Sequence, residues 1–160
     1  MNKCWLFTDG SVNPQSMIGY GAYLLVPQPG LTLDAAKDLV KVKRFENTSS
    51  TKLELQTLLW ALEDIKVTGR KLVIVSDSQN IMRLPGRRKR LEQNQYRSAT
   101  NKPIINTKLY QEFYKRTDPL DWEFVKVHGH QVSNQKEKID RLFALVDKAS
   151  RRALRENDKS

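Results

Sequence analysis

The stretch WLFTDGS, residues 5–11, joins an apolar run to a carboxylate, a glycine and a hydroxyl. The apolar run covers residues 3–9 and is rich in β-forming side chains, which is typical of a buried strand. Asp9 closes this run, although a carboxylate at the end of a buried strand is costly unless something offsets its charge. A second apolar run, LVIVSDS at residues 72–78, also reaches a carboxylate, Asp77. Two predicted strands therefore each end at a carboxylate, Asp9 in the first and Asp77 in the second.

The remaining pattern predicts a mixed sheet with helices packed on it. Turn-forming residues separate the first strand from two more β-prone segments, as in an antiparallel meander. The period then becomes helical in TKLELQTLLWALEDIK, residues 51–66, with Ser49, Ser50 and Thr51 as candidates to cap the helix. The order βββαβ, then helices, then a final βα pair indicates an α/β fold. The predicted elements are strands at 3–9, 19–30, 39–47, 70–78 and 120–129, and helices at 51–66, 106–117 and 133–154.

Length and charge narrow the class of protein. The chain has 160 residues, so we expect a single domain over residues 1–160. Its formal net charge of +10 favours polyanionic partners, and nucleic acid is the commonest of these inside cells. The one cysteine, Cys4, excludes a disulfide framework and lies in an apolar run, as a small buried side chain would. No secretory signal or membrane-length apolar window is visible, so we expect a soluble, cytoplasmic protein.

Four carboxylates are candidates for one shared site. Asp9 and Asp77 meet at the same edge of the sheet if their strands are parallel neighbours. Glu54 and Asp140 each abut the apolar face of a predicted helix, where ionisation is costly without a partner. Carboxylates gathered at one point repel one another, and Mg²⁺ or Mn²⁺, which prefer oxygen ligands, relieve that repulsion. Taken singly, the four also have ordinary interpretations as turn residues, a helix N-terminal residue and a member of a surface ion pair.

Residues 83–103 are the segment with the least regular pattern. Pro85-Gly86 is expected to break the chain. Four cations follow in a row, and a solvated charge run is the usual outcome of such a sequence. The alternative is a surface that holds phosphates, since such contacts do not depend on base sequence. The four cations are Arg87, Arg88, Lys89 and Arg90.

Several segments resemble, in order, the signature segments of the type 1 ribonuclease H family, and the match covers about residues 3–154. These are FTDGS (7–11), KLELQTLLWAL (52–62), VSDSQ (75–79), and VKVHGH (125–130) followed by IDRLFALVDKA (139–149). The resemblance implies a five-stranded mixed sheet, with the first three strands antiparallel, flanked by helices. It implies an endonuclease that hydrolyses the RNA strand of RNA–DNA hybrids and leaves 3′-hydroxyl and 5′-phosphate ends. It also implies two Mg²⁺ ions, replaceable by Mn²⁺, held by Asp9, Glu54, Asp77 and Asp140.

The resemblance assigns a catalytic role to His130 as well. In the loop VKVHGHQ, His130 follows a glycine and matches a mobile family histidine that assists proton transfer or product release. His128 occupies a position that is often lysine in the family. From the residues alone, a solvated surface role is the more usual interpretation of two histidines in a loop.

The same resemblance implies a set of substrate contacts. Telling RNA from DNA requires contacts to 2′-hydroxyl groups, which short polar side chains can make. The basic segment at 83–103 falls where many family members handle substrate, so its cations are expected to hold phosphates of the DNA strand. The matching polar residues are Ser11, Asn13, Gln79 and Asn106, with Ser50 and Thr51 in place of a common Asn-Asn pair; the cations are Arg87, Arg88, Lys89, Arg90 and Arg97.

Two other functions remain open at this point. One is a module of the same fold that binds nucleic acid without cutting it. The other is a related nuclease that acts on double-stranded RNA or DNA, because a fold does not fix a substrate. In each case the expected partner is nucleic acid, and we expect a monomer with no protein partner.

Overall fold

The computed structural model describes residues 2–27, 30–67, 69–127 and 134–157. Within these residues, five strands form a sheet with the order β3-β2-β1-β4-β5. β2 pairs antiparallel with both β1 and β3, whereas β4 pairs parallel with both β1 and β5. The predicted five-stranded mixed sheet, with its first three strands antiparallel, is therefore confirmed. The strands are β1 (Lys3–Asn13), β2 (Ile18–Val26), β3 (Lys41–Phe45), β4 (Lys71–Ser76) and β5 (Trp122–Lys126).

Helices cover both faces of this sheet. Alternate residues of β1 point to opposite faces, so Leu6 joins one apolar cluster and Phe7 joins another. The cluster around Leu6 contains residues of three helices, and the cluster around Phe7 contains residues of the last helix. Two-sided burial explains why β1 and β4 read as continuous apolar runs. The described helices are α1 (Leu33–Lys37), α2 (Ser50–Asp64), α3 (Gln79–Gln93), α4 (Thr107–Thr117) and α5 (Asn134–Asn157).

β1 extends beyond the strand end predicted from the sequence. Its pairing with β2 continues to Asn13, but its parallel pairing with β4 ends at Phe7 opposite Val75. Asp9 therefore lies within β1 rather than at its end, two residues past the last pair with β4. Asp77 lies two residues past Val75, so the two carboxylates continue the same register at the rim of the sheet.

Helix α3 runs through Pro85-Gly86, so the predicted chain break is wrong. Proline lacks an N–H group and leaves one helical hydrogen bond unmade. The buried side chains of Ile81, Leu84 and Leu91 nevertheless hold the helix on the core. Tyr114 of α4 donates its hydroxyl to the carbonyl of Leu84 over 2.6 Å. Tertiary packing therefore outweighs the local preference of this dipeptide.

Glycines allow the start of α2 to lie directly on β1 and β2. A methyl group at Gly10 would lie 2.8 Å from Cδ2 of Leu53, and one at Gly21 would lie 2.1 Å from Oγ1 of Thr57. Such distances are shorter than real Cβ contacts, so a larger residue would push the helix away. Ser49, one of the three candidate caps, accepts a hydrogen bond from the backbone N–H of Lys52. Together these contacts bring the first turn of α2 close to the sheet rim.

We expect Gly21→Ala to lower the free energy of unfolding by about 1–3 kcal/mol, because the added methyl overlaps the Thr57 side chain. Urea denaturation followed by circular dichroism measures the change. The double variant Gly21→Ala/Thr57→Ala is expected to recover most of the loss, because it removes Oγ1 and Cγ2 of Thr57. A Gly21→Ala variant as stable as the unmodified chain would contradict this packing.

Candidate active site

The ends of the paired strands β1 and β4 bring two carboxylates together. Asp9 and Asp77 follow the last β1–β4 pair by the same two residues. The charge of Asp77 acts on Asp9 and raises its pKa, which shows that the two groups lie within electrostatic reach. The meeting of these two side chains follows from the parallel register of their strands.

Glu54 joins the same rim from α2. Its Oε2 accepts a hydrogen bond of 2.7 Å from the hydroxyl of Ser78, the residue after Asp77. Ser78 also caps α3, since its Oγ accepts a 3.1 Å hydrogen bond from the N–H of Ile81. Burial raises the pKa of Glu54, the Ser78 hydrogen bond lowers it, and the charge of Asp77 raises it. Glu54 thus stands within reach of Asp77.

The fourth carboxylate at this rim is Asp147 of α5, which the sequence analysis missed. The side chain of Asp147 raises the pKa of Asp9, both by hydrogen bonding and through its charge, so the two carboxyl groups are neighbours. One turn further along α5, the hydroxyl of Ser150 lies 3.1 Å from that of Ser11 on β1. Two successive points of contact therefore fix this part of α5 against the residues of β1 that follow Phe7.

Asp140 lies elsewhere, which corrects the predicted quartet. It precedes Asp147 by seven residues, or two helical turns and about 10 Å along the axis. That part of α5 lies near the opposite end of the sheet, because Glu137 and Arg141 line a groove with residues 30–33, which follow β2. Seven residues return a helix to nearly the same face, so both aspartates follow an apolar residue of one stripe. The register of α5 on β1 therefore determines which of the two aspartates lies next to Asp9.

Electrostatics of the cluster indicate an excess of negative charge. Burial, the charge of Asp77 and the hydrogen bond with Asp147 raise the pKa of Asp9 to about 8. Burial also raises the pKa of Asp77, as does Asp147, whereas Lys126 and Arg151 act in the opposite direction. Asp77 is exposed, whereas Asp9 is partly buried. The protein alone does not neutralise these carboxylates.

The four carboxylates fit divalent metal ions in donor type and in charge, since they offer only oxygen ligands and concentrated negative charge. Among the residues that the structure describes, no three His, Cys, Asp or Glu side chains converge on one point as the ligands of a formed metal site do. Two of the carboxylates are instead engaged with protein groups: Glu54 with Ser78, and Asp9 with Asp147. Each carboxylate keeps further oxygen lone pairs, which metal ions would use as ligand positions.

The residues predicted to make polar contacts with substrate lie in different environments. Ser11 is bonded to Ser150, and Oδ1 of Asn13 accepts a 2.9 Å hydrogen bond from the N–H of Gln15 in the β1–β2 turn. Asn106 precedes α4 with a left-handed backbone, φ 70°, and makes no capping hydrogen bond through its side chain. Ser50 and Thr51 are exposed in the first turn of α2, and Gln79 is exposed at the start of α3. Their contact with substrate stays a prediction.

The cations of α3 divide into two groups. Arg88 forms ion pairs with Glu92 and Asp118 and lies over the ring of Tyr114, 4.9 Å from its centroid. Arg87 is similarly engaged, with Nη1 3.3 Å from Oδ1 of Asn80 and its guanidinium over Tyr110. The side chains of Lys89 and Arg90 are exposed. Arg87, Arg90 and Arg97 line a groove of about 980 Å³ between α3 and the following loop.

Three other expectations concern residues outside this cluster. His128 and His130 lie outside the described residues. Cys4 is fully buried, and this burial raises the pKa of its thiol. Within the described residues, no helix combines the length and apolarity needed to cross a membrane.

Comparisons with known proteins identify the family of this chain. The family model described as RNase H matches residues 1–146. The chain belongs to the RNase H family. This RNase H family member is 28% identical over 144 residues to a ribonuclease H of Edwardsiella ictaluri, covering 86% of this chain and 84% of that protein. It is 27% identical over 147 residues to a ribonuclease H of Novosphingobium aromaticivorans, covering 89% and 94% respectively.

A solved structure supports the fold of this RNase H family member. A foamy viral protease-reverse transcriptase in complex with double-stranded DNA superposes with a TM-score of 0.62, covering 93% of each chain at 10% identity. The family match ends at residue 146, one residue before Asp147. The position of Asp147 therefore rests on the contacts of α5 rather than on the family match.

We expect Asp9→Asn to stabilise the metal-free protein at pH 7 by on the order of 1–3 kcal/mol, because it removes a buried carboxyl from a like-charged cluster. The pKa of Asp9 is raised to about 8 from an ordinary value of 3.8, so the unmodified chain loses stability as pH rises between these values. The gain from Asn should therefore vanish near pH 4. Urea denaturation in EDTA at both pH values measures it, with exposed Asp121→Asn as the control. An equal effect of Asp9→Asn at both pH values would contradict this electrostatic account.

Proposed function

We propose that this RNase H family member is a metal-dependent endonuclease that hydrolyses the RNA strand of RNA–DNA hybrids. The main support is the meeting of Asp9, Glu54, Asp77 and Asp147 at one rim of the family fold. Relatives named ribonuclease H, matched over most of both chains, support the same activity. The net charge of +10 suits a polyanionic substrate. We also propose that residues 1–160 form a single domain.

In this proposal the four carboxylates hold two Mg²⁺ ions, or Mn²⁺ in their place. Such a pair of ions supplies an acidified water and offsets charge on the departing 3′ oxygen, which gives 3′-hydroxyl and 5′-phosphate ends. Asp9 would be a firmly held ligand, because it projects from a strand that is paired with β2 and packed on both faces. Glu54 would offer Oε1 to an ion, since Ser78 donates its hydrogen bond to Oε2.

Other residues of the chain bind and orient the substrate. Exposed Lys89 and Arg90 on α3, with exposed Arg97 beyond it, are proposed to hold phosphates of the DNA strand. Arg88 contributes less, because its guanidinium is engaged by Glu92 and Asp118. Recognition of 2′-hydroxyls is proposed for the short polar residues of β1, α2 and α3 that border the carboxylates. His130 is proposed to assist proton transfer or product release.

We expect Asp147→Asn to lower the rate of hybrid cleavage by about 10²-fold or more, whereas Asp140→Asn should stay within a few-fold of the unmodified chain. The reason is that only Asp147 reaches Asp9. The assay compares labelled hybrid, duplex RNA and duplex DNA, each with Mg²⁺ and with EDTA.

Each outcome of this assay has a definite meaning. Loss of activity in Asp140→Asn but not in Asp147→Asn would contradict the assigned quartet. Cleavage of duplex RNA or duplex DNA in preference to hybrid would replace the proposed substrate. Tight binding of hybrid with no cleavage in Mg²⁺ or Mn²⁺ would make the protein a binding module.

We expect Arg90→Ala to reduce the slope of log affinity against log salt concentration by about 1, because one phosphate contact is lost. Fluorescence anisotropy with labelled hybrid in EDTA, between about 50 and 200 mM KCl, measures this slope. The matched control on the same helix is Arg88→Ala, which breaks ion pairs within the protein and should leave the slope unchanged. Equal changes of slope in the two variants would contradict this division of the α3 cations.

A further inference from the structure

Ser150 on α5 carries a buried hydroxyl group to which the proposed reaction assigns no role. Its side chain is fully buried, one helical turn after Asp147. Its Oγ lies 3.1 Å from Oγ of Ser11 on β1 and 3.1 Å from the backbone carbonyl of Asp147. One atom thus contacts both the strand that carries Asp9 and the peptide unit that carries Asp147.

The directions of these hydrogen bonds follow from proton counting. A serine hydroxyl has one proton to donate and two lone pairs that accept. Ser150 donates to the carbonyl of Asp147, so in the contact between the two hydroxyls Ser11 is the donor. The result is a directed chain from Ser11 through Ser150 to the backbone of Asp147.

The two linked hydroxyl groups, of Ser11 and Ser150, lie next to the two carboxylates, of Asp9 and Asp147. Ser11 follows Asp9 by two residues and therefore lies on the same face of β1. Ser150 follows Asp147 by three residues and lies near it on the same side of α5. β1 and α5 therefore meet through two neighbouring pairs of side chains. Asp9 faces Asp147, and Ser11 faces Ser150.

Apolar side chains of α5 also pack against β1. Phe143 and Val146 pack in the cluster that contains Phe7. Apolar contacts are not directional, so they resist separation of α5 from the sheet more strongly than small shifts along it. A hydrogen bond weakens steeply with distance and angle and therefore does resist such a shift. The apolar contacts lie on the N-terminal side of Asp147, and the hydrogen bond between Ser150 and Ser11 lies on its C-terminal side. The position of Asp147 therefore depends on that hydrogen bond.

We propose that Ser150 is a positioning residue of the nuclease site: its link to Ser11 fixes the register of α5 on β1 and thereby the separation of the Asp147 and Asp9 carboxylates. This inference rests on the proposed function, because it assigns both carboxylates to the same pair of metal ions. Ser150 itself touches neither substrate nor metal. Its loss weakens metal binding by letting Asp147 move relative to Asp9.

Titration calorimetry of the full chain with Mg²⁺ alone tests the proposal without reference to turnover. We expect Ser150→Ala and Ser11→Ala each to weaken Mg²⁺ binding by about tenfold, as loss of a residue supporting a metal ligand does. The double variant should lose no more than the larger single loss, because both substitutions break one link. In the cleavage assay of Ser150→Ala, raising Mg²⁺ should restore kcat, and the KM for hybrid should change little, because Ser150 does not contact the substrate.

Thr117→Val is the matched control. Thr117 is buried, and its hydroxyl donates to the carbonyl of Phe113 over 2.8 Å, but it lies on α4. We expect this variant to lower the melting temperature about as much as Ser150→Ala and to leave Mg²⁺ affinity unchanged.

The outcomes separate the two proposals. Unchanged Mg²⁺ affinity in Ser150→Ala, additive losses in the double variant, or an equal loss in Thr117→Val would each overturn the role of Ser150. If Ser150→Ala does not fold, Ser11→Ala alone decides, since it breaks the same link from the strand. If the unmodified chain binds no Mg²⁺ and cuts no hybrid, the proposed function itself fails.

Discussion

Parallel pairing between β1 and β4 is the constraint on which the rest of the site depends. The pairing ends at Phe7 and Val75, and two residues later the chain reaches a carboxylate in each case, Asp9 within β1 and Asp77 just after β4. Hydrogen bonds of the ladder, rather than side-chain contacts, therefore bring Asp9 and Asp77 together. Glu54 and Asp147 then approach from opposite faces of the sheet, on helices whose distance from it is set by glycines on one side and an apolar cluster on the other.

The sequence predicted those features that local pattern determines. Apolar runs identified the strands, helical spacing identified α2 and α5, and strand ends identified Asp9 and Asp77. The register of one element on another lies beyond such patterns. Asp140 and Asp147 are seven residues apart on one stripe of α5, so periodicity treats them alike. Their difference arises from long-range contacts of α5 with β1 and with the region after β2.

Tertiary packing also explains the departure in α3. The Pro85-Gly86 pair is a strong local signal for a break, yet three buried side chains and the hydroxyl of Tyr114 keep the helix continuous. This continuity changes the interpretation of the basic run. On a helix, successive cations point in different directions, so Arg88 reaches Asp118 of α4 while Arg90 stays exposed. A list of cations in a sequence therefore overstates the number available to a ligand.

The place of Asp147 along the chain has a consequence for biosynthesis. Ribosomes make proteins from the N-terminus, so a nascent chain carries Asp9, Glu54 and Asp77 well before it carries Asp147. The strands β1 and β4, whose pairing brings Asp9 and Asp77 together, can pair only after β4 has emerged, and α5 is added last of the described elements. The growing polypeptide thus passes through a stage with three of the four acids. Completion of the cluster is deferred until translation has passed α5.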